Sequence, residues 1–187
     1  KPPARSVADE LVIAARKAGK PVVVDFIGYA TAVRQMDTVY FATSFDDAAN
    51  LAVRLSSDGI KKPDSMAQDL ERFSSQQRYL RGLFSGGTLA YEALLVLEGY
   101  LPEVYSNVPL DKKFKLEDSL VSKQHTILDL GEDEFTVGRL HPMMDNDLRL
   151  RRLEMEADDP EVAVILLDVV LGYGAHPDPA SELAPAI

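Results

Sequence analysis

The feature that most constrains this chain is the run VAVILLDVVL at residues 162–171, ten residues carrying one charge. Its β-branched side chains and unbroken apolar character predict a strand buried on both faces. Gly172-Tyr173-Gly174-Ala175-His176-Pro177-Asp178-Pro179 then ends it, and Ser181-Glu182-Leu183 reads as the opening of a helix. In open α/β sheets, ligands collect where strands end and helices begin, because free backbone N–H groups there attract anions. A candidate site follows at once, with a histidine in it.

Other segments repeat that grammar. A helix over 6–18, with Val7, Leu11, Ala14, Ala15 and Ala18 on one face and Gly19 at its end, precedes a strand over 21–28. Residues 39–43 read as a strand, and Ser44 caps a helix over 46–57 closed by Gly59. Lys61-Lys62-Pro63-Asp64 is the linker, with a helix carrying Met66, Leu70 and Phe73. Further strands are expected at 79–84, 104–106 and 125–130, helices at 88–98 and 145–157, and a charged surface loop at 111–123. This predicts parallel sheets in a three-layer α/β/α, flavodoxin-like (Rossmann-like) architecture. The division expected is 1–62 as the end of a first α/β unit, 63–78 as a linker helix and 79–187 as a second unit. An echo between residues 2–11 and 178–183 suggests that an apolar strand like 162–171 once preceded Lys1, and that the second unit is truncated at its end.

Composition narrows function. A net charge of −10 argues against a sequence-independent grip on nucleic acid, which needs clustered Lys and Arg. With no cysteine, thiolate metal sites and Cys nucleophiles are excluded. No apolar run reaches the roughly 20 residues of a membrane helix, so a cytoplasmic protein is expected, with no membrane partner. A homo- or hetero-oligomer is expected.

Three clusters can carry chemistry. Ser85-Gly86-Gly87-Thr88 lies between a strand and a helix, where glycines let backbone approach an anion and the helix start supplies donors. An ordinary βα turn capped by Ser85 or Thr88 is the competing reading. The loop at 129–142 holds four acids with Arg139 and His141, suited to acid/base work or to pairing among themselves. No metal site is expected from one histidine and irregular acid spacing. His176 is a candidate nucleophile or phosphoryl acceptor, or else a turn histidine. Asp168 interrupts an apolar strand, where a carboxylate needs a histidine or arginine partner. His125, at the start of a strand, sits at the wrong end of the sheet and is expected to be structural.

The motifs RGLFSGGTLAYEAL, SNVPL, LDLGEDEFTVGR, HPMMD and DPEVAVILLDVVLGYGAHPDPA together resemble the succinyl-CoA synthetase superfamily, and closely resemble its FdrA-type acyl-CoA-synthetase-like branch. The earlier KPVVVDFIG and VYFATSFDDAANLA resemble the end of a preceding CoA-ligase domain. The resemblance implies acyl phosphate or CoA-thioester chemistry with a small anionic acyl or phosphate ligand. In the superfamily a phosphohistidine is flanked by two helix starts. Here the resemblance makes Gly86, Gly87 and Thr88 one anion-binding helix start and sets the loop with Gly172, Gly174 and His176 opposite it. Arg139 joins that anion-binding set, and His176, His141 and Asp168 are the catalytic candidates. Coenzyme A and ADP or ATP are implied by resemblance only, their binding domains lying outside this chain. The chain departs from the pattern where the superfamily's phosphohistidine loop would follow 21–28: residues 29–38 hold no histidine. An ADP-forming ligase module is therefore one expectation. The other is a non-catalytic or obligate-complex subunit that lost the phosphohistidine loop, for instance in an oxamate carbamoyltransferase-type assembly.

Overall fold

The computed structural model describes residues 4–18, 20–28, 31–56 and 74–187. The linker Lys61–Asp64, the helix expected around Met66, Leu70 and Phe73, and Gly19 and Gly59 lie outside the described residues. The chain forms two compact units, Lys1–Gln68 and Asp69–Ile187.

In the first unit, α1 (Arg5–Arg16) precedes β1 (Val22–Val24), β2 (Gln35–Met36), β3 (Val39–Phe41) and α2 (Phe45–Ser56). β1 pairs parallel with β3, and β2 pairs antiparallel with it, so this small sheet is mixed. The β2 ribbon was not expected. Asp37, with φ 53°, takes the left-handed turn that folds β2 onto β3. Both parallel strands are shorter than the apolar spans that announced them. α1 also buries a different stripe from the one expected: Ala8 is buried and Val12 and Ala15 half-buried, while Val7 and Leu11 are exposed. One residue of offset rotates a helix face by about 100°. Ser44 caps α2 as expected, its hydroxyl accepting from the Asp47 amide at 3.2 Å.

The second unit contains β4 (Tyr79–Phe84), α3 (Gly87–Glu98), β5 (Val104–Ser106), β6 (His125–Asp129), α4 (Asp133–Thr136), α5 (Asp147–Ala157), β7 (Val162–Leu167) and α6 (Pro179–Leu183). Its four strands are all parallel, in the order β5-β6-β4-β7. Alternation along each strand sends successive side chains to opposite faces. Leu83, Tyr105, Leu128 and Leu153 pack in one core with Phe135 and Leu116. Phe84, Val104 and Ile127 pack in the other with Ala90 and Leu94 of α3. Helices α3 and α5 thus cover opposite faces, and the three-layer α/β/α arrangement holds. Each such fully buried aliphatic side chain contributes roughly 1.5–3 kcal/mol.

Two expectations need correction here. The opening run is an edge strand: β7 stops at Leu167, Val164 is exposed, and only Val162 and Asp168 are buried within 162–171. Apolar content alone cannot separate a central strand from an edge strand whose outer flank is open. The 111–123 segment is also more than a surface loop. It carries a 3-10 turn at Lys112–Phe114, buries Leu116 and Ser119, and bridges back to β5 through Ser106 and Lys115. Among the described residues no helix is long and apolar enough to cross a membrane.

Candidate functional site

The strand order sets the site. β4 connects across β6 to β5, whereas β6 connects across β4 to β7, so the chain runs in opposite directions on the two sides. Crevices form at the carboxyl ends of strands where such a reversal occurs. There the ends of β4, β6 and β7 bring Ser85, Asp129 and Asp168 to one level of the sheet.

Asp168 is the anchor. Its Oδ1 accepts from the Ser85 amide at 2.8 Å and its Oδ2 from the Ser85 hydroxyl at 2.6 Å. Arg149 of α5 pairs with the same carboxylate at 3.1 Å and also donates to the Asp168 carbonyl. Both side chains are nearly fully buried, and burial pulls the Arg149 guanidinium below its ordinary range while Asp168 offsets this. The expected partner of Asp168 was a histidine or an arginine; it is an arginine.

Because Ser85 is spent on Asp168, it does not cap α3. Neither does Thr88: the N-cap is Gly86, extended at φ −167°, and no side chain caps the helix. The first-turn N–H groups of this 12-residue helix are therefore left without a side-chain acceptor, and no acid lies in its first turn. Asp129 approaches from β6. A Cβ on Gly87 would lie 2.7 Å from Asp129 Oδ2, so glycine is what lets the carboxyl reach the helix start. Asp129 Oδ1 accepts from the Gly131 amide at 2.9 Å. Burial raises the Asp129 pKa, Glu132 and Asp168 add to the rise, and Gly131 and His141 oppose it. Asn107, at the end of β5, clamps Asp129 by donating to its carbonyl at 2.9 Å and accepting from its amide at 3.0 Å.

His141 joins this group. A Cβ on Gly131 would meet His141 Nε2 and the Ser85 carbonyl, each at 2.7 Å. The Met143 amide donates to His141 Nδ1 at 3.3 Å, and the Met143 carbonyl accepts from the His176 amide at 2.7 Å. Met143 thus ties the two histidine segments together. His176 Nδ1 accepts from the Asp178 amide at 3.1 Å and its Nε2 faces Glu182 Oε1 at 3.4 Å. Glu182 in turn accepts from Asn146, which touches Arg149, so a polar chain runs from His176 back to Asp168. In both rings Nδ1 accepts a backbone proton. The neutral tautomer then carries hydrogen on Nε2, making each ring a donor at that atom.

No hydrogen bond found among the described residues joins Arg139, Gly172, Gly174 or His125 to Asp129 or Asp168. Arg139 is exposed. Gly172 and Gly174 have φ of 125° and 81°, a backbone that favours glycine, in an exposed loop. Among the described residues, chain neighbours aside, no atom lies within 4 Å of where a Cβ would sit on Gly172, Gly174 or Gly86. His125 is at the opposite end of the sheet, accepting from the Leu80 amide, with burial and then Arg81 lowering its pKa. Among the described residues no group of His, Asp or Glu could hold a metal ion. Sequence reasoning did not single out Arg149, Asn146, Asn107 or Glu182. The available signal was the stripe Arg149, Arg152, Leu153, Glu156, where charged residues occupy the buried face of α5.

A sequence model of the CoA-ligase family matches residues 83–187, which include every residue of the site just described. The chain belongs to the CoA-ligase family. It is also similar to the uncharacterized protein YahF of Escherichia coli (strain K12), with 41% identity over 196 residues. That similarity covers 100% of this chain and 38% of YahF, so the chain spans well under half the length of the curated relative it matches. CoA-ligase membership is in keeping with the parallel sheet; the roles of individual residues rest on the geometry.

Proposed function

We propose that the chain is an acyl-CoA-synthetase-like module of FdrA type, and that its strand-end turn holds the oxyanion of an acyl phosphate or carboxylic acyl group. The observation that supports this reading is the uncapped start of α3 at Gly86–Gly87, with the raised-pKa carboxyl of Asp129 beside it. An oxyanion at that turn accepts the first-turn N–H groups of α3. In its protonated form Asp129 donates a further hydrogen bond, and His141 offers Nε2–H from the other side. Asp168 and Arg149 hold Ser85, and with it the angle of the turn.

A second reading is favoured by the two histidine tautomers. Neither His141 nor His176 presents a lone pair for attack on phosphorus, as a phosphoryl acceptor must. Exposed Val137, Leu140, Leu171 and Tyr173 also lie on the two loops carrying these histidines. These features support an obligate-complex subunit, for instance in an oxamate carbamoyltransferase-type assembly, which binds the anion while a partner supplies the reacting group.

The test is titration of the full chain with acetyl phosphate, followed by backbone amide resonances and by acid-labile phosphate on the protein. The expected result is saturable shifts at Gly87 and Thr88, weakened about tenfold in His141→Ala, with no retained phosphate. Absence of those shifts overturns the oxyanion reading. Retained phosphate that vanishes in His176→Ala instead makes His176 the phosphoryl acceptor and removes the ground for the second reading.

A further inference from the structure

Away from the strand-end turn, a cleft of about 440 Å³ opens at the β5 edge between Tyr105 and the 113–123 segment. Its apolar lining is Tyr105, Leu116 and Val121, and three lysines, Lys113, Lys115 and Lys123, stand around it. In a chain with 30 acids and 20 bases, three cations about one cleft oppose the prevailing charge. Their engagements differ. Lys113 is paired with Asp111 at 3.4 Å and sits over the Phe114 ring. Lys115 donates to the Asn107 carbonyl at 2.9 Å, which leaves two of its three protons uncommitted. Lys123 lies 4.2 Å above the Tyr105 ring, and hydrogen bonding to Tyr105 keeps its pKa above the ordinary value.

The acidic lining offsets these charges only in part: Glu103 and Glu117 act on Lys123 from nearby, and the three lysines still outnumber the two lining acids. Asp118 is turned to its own backbone, accepting from the Leu120 amide at 2.8 Å, and Glu117 is exposed. No arginine lines the cleft. Planar bidentate capture of a carboxylate is the work of arginine, whereas separate ammonium groups act as point charges suited to the spread charge of a phosphoryl group. The volume lies within the ordinary range for small-molecule sites, roughly 300–1,000 Å³, and exceeds what a bare phosphate fills.

We infer that this cleft binds a small organic phosphate, with the phosphoryl oxygens on Lys115 and Lys123 and an apolar body against Leu116 and Val121. The site is separate from the turn at Gly86–Thr88 and is linked to it by hydrogen bonds through one residue. Asn107, whose carbonyl receives Lys115, is the residue that clamps Asp129.

The experiment compares phenyl phosphate, inorganic phosphate and benzoate on the full chain, by calorimetry and by methyl resonances of Leu116 and Val121. Phenyl phosphate is expected to bind about tenfold or more tightly than either comparator, since each lacks one half of the recognised chemistry. The Lys115→Ala/Lys123→Ala variant should lose about tenfold or more, while Lys112→Ala, outside the cleft, should bind as the parent does. Circular dichroism confirms that the variants are folded; Lys123→Gln serves alone if the double variant is not. Equal binding of benzoate, unchanged affinity in the lysine variants, or shifts confined to Gly87 and Thr88 would each overturn the inference.

Discussion

The two ends of β4 each meet a buried arginine from α5, and they are built for opposite purposes. At the amino end, Arg81 of the strand pairs with Glu156 at 2.7 Å and with Asp159 at 2.9 Å, and Arg152 meets the other oxygen of Glu156 at 2.8 Å. Ser122 and the carbonyls of Ser119 and Leu120 close over Arg152. At the carboxyl end, Arg149 and Asp168 make a single pair whose other contacts are the Ser85 turn, two backbone carbonyls and the Asn146 side chain. Beside it stands a helix start with no side-chain cap. Buried charge therefore does not mark the site by itself. What marks it is backbone donors left open next to a carboxyl that burial holds toward its neutral form.

The sharpest way to break this comparison is to remove one carboxylate from each end. Glu156→Ala strips Arg81 of its shortest partner and Arg152 of its only carboxylate among the described residues. A loss of about 4–5 kcal/mol is expected, the upper part of the range for breaking a buried pair. Asp168→Ala strands one arginine that keeps two backbone carbonyls and the Asn146 oxygen as acceptors, so about 3 kcal/mol is expected. Urea midpoints of the two variants decide the order, and equal losses would mean that the two clusters are energetically alike. Arg149→Met with Asp168→Leu should cost far less than Asp168→Ala, because no charge is left unpaired.

A second contrast lies among the glycines around the turn. Gly131→Ala would push a methyl against the Ser85 carbonyl, which cannot move without the strand. A cost of about 2 kcal/mol is expected, typical of overpacking. Gly86→Ala meets nothing within 4 Å, and its extended backbone suits any residue. Its effect should stay within about 0.5 kcal/mol. If the two variants melt alike, the packing at Gly131 is looser than its distances indicate.

How much of this was legible follows the same divide. The strands at 79–84 and 104–106 and the helix at 88–98 match observed elements to within one residue, because hydrophobic runs bounded by glycine or proline are local signals. The need of Asp168 for a basic partner was legible too, since a carboxylate in an apolar strand is unstable without one. That the partner is Arg149 was not. RLRRLEME offers three arginines and two glutamates over about two helical turns, and only the approach of α5 to β4 and β7 selects among them. The edge position of β7 was equally invisible, because strand order is fixed by crossovers rather than by composition. Asp129 belonged to an acid-rich motif, but its buried place beside Gly87 depends on its pairing with Phe84 of β4, far away in sequence.

The subtlest test concerns that carboxyl. Burial, chiefly, raises the Asp129 pKa above its model-peptide value of 3.8. A carboxyl whose pKa is higher in the folded state binds more protons there than in the unfolded chain. Its contribution is therefore fully present below pH 3.8 and is lost as the pH rises through the raised folded value. Asp129→Asn removes the titration while keeping an amide oxygen able to accept from Gly131. Unfolding free energies of parent and variant, measured from pH 4 to 7, should diverge as the pH rises, with the variant gaining relative to the parent. A parallel pair of curves would mean that Asp129 is ionised at no cost. The turn would then carry a resident anion of its own and would compete with any acyl oxygen, which removes the distinction between the two ends of β4.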